Sequence, residues 1–100
     1  MFRTRQTLTL ETAEGIAAQG LAFLAEDPVR LSRFLTATGL TADQIREQVD
    51  APRFLSAVLE HLVSDESLLL VFAANASVAP ETVTPALALL QQASDRTARS

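Results

Sequence analysis

Cysteine, tryptophan and tyrosine are absent from this 100-residue chain, and glycine and proline are scarce, at three and four residues. Without cysteine there is no disulfide, no thiolate zinc site and no cysteine nucleophile. The three glycines, Gly15, Gly20 and Gly39, cannot build a phosphate-cradling loop. Bases are also thin on the ground. Between Leu8 and Ser94 four arginines, Arg30, Arg33, Arg46 and Arg53, face eleven carboxylates, a net charge of −7 for the body of the chain. No lysine or arginine lies between Arg53 and Arg96, which opposes binding to phosphate backbones. Residues 1–7 lack the apolar core of a signal peptide. The run Leu68–Ala74 is far short of the roughly 20 apolar residues that span a bilayer. A cytoplasmic location without membrane contact is therefore expected.

What is present points to helices. Hydrophobic residues make up 48% of the chain, as in folded proteins, and alanine and leucine, both good helix formers, dominate. The length suits one domain with one modest core. Residues 1–7 read as a loose arm and about 94–100 as a frayed tail. Thr9 is placed to cap a first helix ending near Glu26, with Leu10, Ala13, Ala17, Gly20, Leu21 and Leu24 on its inner face. Asp27-Pro28 restarts the chain as a short helix that stops at Gly39. Thr41 and Gln44 have capping-box spacing, and Leu40 and Ile45 stand at the ends of a hydrophobic staple, so a third helix runs to about Val49. Asp50 is expected to cap the fourth helix, and Ser64 or Asp65 the fifth. Leu68–Ala74 has no polar side chain, so the fifth helix is predicted to be central and covered on most sides. A sixth starts at Pro80, and Pro85 either kinks it, the preferred reading, or splits it, with Thr84 capping a new helix that Pro85 begins.

An offset of 38 residues aligns Asp27 with Asp65, Leu31 with Leu69, Phe34 with Phe72 and Ile45 with Val83. The chain is thus predicted to be an all-α compact bundle of about six helices, in two related three-helix units over about 13–50 and 51–88. Leu68, Leu70 and Val71 stand where the first unit has Arg30, Ser32 and Arg33, which predicts a deeper place for the second unit's middle helix.

The segments Phe23-Leu24-Ala25-Glu26-Asp27-Pro28, Arg33-Phe34-Leu35, Thr38-Gly39-Leu40, Phe54 to Leu62 and Asp65 to Leu70 resemble a small bacterial family, domain-of-unknown-function family 3572. The likeness covers about Glu14 to Leu90. Ala79 departs from it, since an acidic residue is expected before Pro80-Glu81. The resemblance implies a small all-helical protein and lends no catalytic, cofactor or metal residues.

The constellations point the same way. His61, the sole histidine, has Glu60 beside it and Asp65 one turn later. Two ligands do not make a metal site, and Asp65 already serves as a cap. Ser56, Ser64 and Ser67 lack the Gly-x-Ser-x-Gly elbow of a hydrolase. No enzyme activity, cofactor or small-molecule ligand is expected. Phe34 to Val49 has helix-turn-helix punctuation, and a nucleic-acid-binding or transcription-associated protein is the alternative reading. The would-be reading helix nevertheless carries a net −1 across Asp43, Arg46 and Glu47. The leading reading is a non-catalytic acidic helical module for a protein partner or a homo-oligomer. Ile16 and Phe23 stand about 100–120° from the inner face of the first helix, and Phe54 and His61 stand likewise on the fourth. These four are expected to form a seam between the halves or, if exposed, an interaction stripe.

Overall fold

Helix signals at regular intervals divide the chain into six segments. The computed structural model describes residues 8–99, with side chains through residue 96. Its elements are α1 (Leu10–Ala25), α2 (Pro28–Thr38), α3 (Ala42–Gln48), α4 (Pro52–Val63), α5 (Glu66–Ala76) and α6 (Pro80–Arg99). The expected arm over residues 1–7 lies outside the described residues.

Local chemistry sets most of the boundaries. Thr9 Oγ1 accepts the Thr12 N–H at 3.1 Å, and Asp27 Oδ1 accepts that of Val29 at 2.9 Å. Gly39 closes α2 with φ at 74°, a left-handed conformation open to glycine at little cost. At α3 the capping box is complete. Gln44 N–H donates to Thr41 Oγ1 at 3.2 Å, and Thr41 N–H donates to Gln44 Oε1 at 2.9 Å. Asp65, the second of the two expected candidates, caps α5 by accepting the Leu68 N–H at 3.2 Å.

Three expectations are corrected. Asp50 does not cap α4: Pro52 takes its first position, so the cap falls on Ala51, which offers no side-chain acceptor. The stretch from residue 94, expected as a tail beyond the last helix, lies within α6, which continues to Arg99. Its last three turns hold no glycine or proline, and Ala93 is buried. The largest correction concerns α5. It is not the central helix and is not covered on most sides. Only Phe72 and Ala73 are buried on it, Leu68 and Leu69 are half-buried, and Leu70 and Val71 are 49% and 44% exposed.

The centre belongs to α4. Phe54, Leu55, Val58, Leu59 and Leu62 are all buried, and the helix packs against α1, α2, α5 and α6. The broadest packing joins α4, α1 and α6, whose Val83, Ala86, Leu87 and Leu90 close the core. The single helix α6 runs through Pro85, which is exposed. By contrast, the seven-residue α3 buries no residue. Val49, the 38-residue counterpart of buried Leu87, is 40% exposed. The Cα radius of gyration, 13.7 Å, is close to the ~13 Å of a compact domain of this length.

Gly20 lets α1 and α4 approach. A Cβ there would lie 3.0 Å from Leu62 Cδ1 and 3.1 Å from Val58 Cγ1. Gly20→Leu is therefore expected to cost at least about 1–3 kcal/mol, the usual penalty of overpacking. Gly15, with nothing within 4 Å of its would-be Cβ, provides the control. Gly15→Leu should leave stability unchanged or raise it, since glycine is a poor helix former. Denaturant melts of the two variants check both outcomes.

Candidate interaction surface

The four stripe residues do not present one face to solvent. Ile16, Phe23 and Phe54 are buried and His61 is half-buried, while α1 and α4 pack directly on each other. Their aromatic partners come from the middle helix of the opposite half. Phe23 meets Phe72 with ring centroids 5.6 Å apart. Phe34 packs edge-on against both Phe54, at 6.1 Å, and His61, at 5.3 Å. Moving each residue by 38 positions into the other half carries the Phe34–His61 pair onto Phe72–Phe23.

Two shallow grooves flank these ring pairs. One, about 200 Å³, lies between α1 and α5 and is lined by Gln19, Ala22, Phe23, Glu26, Phe72, Asn75 and Ala76. The other, about 190 Å³, lies between α4 and α2 and is lined by Ala37, Thr38, Ala57, Glu60, His61 and Ser64. Each residue of the second groove is the 38-residue counterpart of one in the first. The first has an aromatic floor, and the second has His61 in place of Phe23.

Outside the α1–α5 groove stand Leu70 and Val71. At 100° per residue Val71 lies about 40° round α5 from Asn75, which lines the groove, and Leu70 lies beyond it. With exposed Ala74 they form an apolar strip on the outward side of α5. The charged groups nearest in sequence are acidic, beside the uncharged Ser67, Asn75 and Ser77. Asp65 and Glu66 open α5, Glu26 lines the groove, Glu81 opens α6, and all four are exposed. One base reaches this region. The Arg30 guanidinium sits 4.1 Å from the Phe23 ring centroid, and its Nε is 3.9 Å from the Asp27 carboxylate. Such a stacked cation adds roughly 0.5–1 kcal/mol at a partly exposed site.

Around His61 the chemistry is limited. A cleft of about 300 Å³ brings Arg30, Arg33, His61, Ser64, Asp65 and Leu68 together. Asp65 is engaged as the α5 cap, and the Ser64 hydroxyl donates to the His61 carbonyl at 2.7 Å. Burial pushes the imidazole below its ordinary value, and the Asp65 carboxylate partly offsets this. Among the described residues no three His, Asp or Glu side chains come together as a metal ligand set, and no single helix is long and apolar enough to cross a membrane. The α2–α3 pair does form a helix, turn and helix with α3 on the outside. Its Asp43 and Arg46 are ion-paired to each other.

Sequence reasoning singled out Leu70 and Val71 but placed them inside. The signal that locates the surface is their counterparts, Ser32 and Arg33, which are exposed on α2.

The model of the family described as Protein of unknown function (DUF3572) matches residues 10–93, and the chain belongs to that family. No curated protein and no solved structure matches it.

The sign of the His61 shift sets a pH dependence. The unfolded chain binds the proton more readily than the folded one, so stability is fully present above about pH 6.5, the unperturbed histidine value, and declines as the pH falls through the folded value. His61→Phe, which copies the Phe23–Phe72 pair, should abolish the part of this decline that falls in the histidine range. Melts between pH 7.5 and 5 test this; an unchanged slope across those pH values in the variant would contradict it.

Proposed function

We propose that this member of the DUF3572 family is a non-catalytic protein–protein interaction module, with the outward strip of α5 as its docking surface. One observation carries the reading: Leu70 and Val71 are 49% and 44% exposed at positions whose 38-residue counterparts are Ser32 and Arg33. Taken as an internal repeat, the first half is a control for the second. Its middle helix forms with polar residues at the same two outward positions. The fold therefore does not call for leucine and valine there, and a contact outside the chain accounts for them. The matched ring pairs and matched grooves support the repeat, as does the αL residue closing each middle helix, Gly39 in α2 and Ser77 in α5. Leu70, Val71 and Ala74 adjoin one another on the surface instead of standing singly, which supports the docking reading.

The test is capture from the native cell, quantified in parallel for the wild type and for the double variant Leu70→Ser/Val71→Arg. The variant installs the residues of the first half. A protein retained by the wild type and lost at least about tenfold on the variant is expected, because covering the exposed half of Leu70 and of Val71 contributes roughly 0.7–1.5 kcal/mol each, about half of the full-burial value, and 1.4 kcal/mol is a factor of ten. Equal retention by both would remove α5 as the docking surface. Failure of the wild type to retain any protein would remove the module reading itself.

A further inference from the structure

The α5 strip and the α1–α5 groove are continuous through Asn75, and their charge narrows what can dock on them. We infer that this surface takes a basic amphipathic helix, with its apolar stripe on Leu70 and Val71 and one apolar side chain seated over Phe23 and Phe72. The inference rests on the interaction reading above and adds the partner's chemistry.

The groove has a volume of about 200 Å³, several times the ~30 Å³ share of a water molecule in the liquid. The buried Phe23–Phe72 pair, tilted at 59°, closes its base from beneath, and the accessible surface above it comes mostly from the other lining residues, the small Ala22 and Ala76 among them. That is a seat for one side chain, not for a cofactor. Helix-in-groove recognition has this form, with apolar anchors at helical spacing set between flanking polar contacts. The rim is negative. Glu26 stands at the groove, Glu66 opens α5, and no lysine or arginine lies between Arg53 and Arg96. Arg30, the nearest cation, is already matched by Asp27 at 3.9 Å.

A partner carrying lysine or arginine beside its apolar stripe gains from these carboxylates in encounter and in register. A second copy of the chain is the poorer occupant. Two copies meeting through this face would set Glu66 and the other rim carboxylates of each against the same carboxylates of the other, with Arg30, already paired to Asp27, as the one nearby cation, and like charges in apposition oppose association.

The experiment is a displayed library of helices with a fixed leucine stripe and the remaining positions randomised among lysine, glutamate, serine and alanine. It is selected on the full chain and counter-selected on Leu70→Ser/Val71→Arg. Helices with a clear excess of lysine should be enriched on the wild type, and the best of them, made as a free peptide, should bind the double variant at least about tenfold more weakly. The peptide's binding to the wild type should weaken as salt rises, because screening shortens the reach of the rim charges to ~10 Å at 0.1 M. In amide NMR spectra it should move Phe23, Phe72 and Asn75. Enrichment of acidic or uncharged helices, or of none, overturns the inference, as does a peptide whose shifts leave the groove unmoved. Self-association of the wild type by sedimentation that the double variant abolishes would also overturn it, by assigning the face to a second copy. The interaction reading would survive any of these results if the wild type alone retains a cellular protein.

Discussion

The close approach of α1 and α4 at Gly20 is the contact on which the bundle depends. Because position 20 has no side chain, Leu62 and Val58 lie against the α1 backbone. The two helices then present a continuous apolar surface, with Ala13, Ala17 and Leu24 on one and Leu55, Leu59 and Leu62 on the other. Helix α6 lies against both and closes the core with Val83, Leu87 and Leu90. The middle helices are held at the margin, each by one fully buried phenylalanine, Phe34 on α2 and Phe72 on α5. Each of these rings rests on the first helix of the other half.

This arrangement explains where the two halves agree and where they part. The middle helices match, cap for cap and ring for ring. The third helices do not. Helix α6 has 20 residues and supplies core to both first helices, whereas α3 has seven residues and buries none. Only one of the two is needed to close the core, and α6 takes that place. The halves differ also at two outward positions of their middle helices, Ser32 and Arg33 on α2 against Leu70 and Val71 on α5, while at a third α2 exposes Val29 where α5 has Ser67. The functional reading comes from that second difference.

Much of this was legible in the sequence because it is local. A cap is settled within four residues, so Thr9, Asp27, Thr41 and Gly39 could be read directly, and only Asp50 misled. There the decisive residue was Pro52, whose place at the first helical position moves the cap to Ala51. Burial of α5 was not legible for a physical reason. A helix apolar on every side has no polar face to mark its outside, so Leu68–Ala74 carries no direction of its own. Its direction comes from α1, α4 and α6, which reach Phe72 and Ala73 and leave Leu70 and Val71 uncovered. The Ser32 and Arg33 comparison held the answer, but along the chain alone deeper burial and an outward surface look the same, and only the packing of α5 separates the two. The candidate stripe was half legible in the same way. Its residues pack on the opposite half's middle helix, a relation that periodicity along one helix does not contain.

The central claim is that Leu70 and Val71 serve a contact outside the chain and not the core. Its most direct measurement is the unfolding free energy of Leu70→Ser/Val71→Arg against the wild type in urea. The account predicts a loss below about 1 kcal/mol, the scale of surface and helix-propensity changes, with an unchanged denaturant slope. A loss of about 2–5 kcal/mol, the range for truncated core leucines, would place the two residues inside and contradict it.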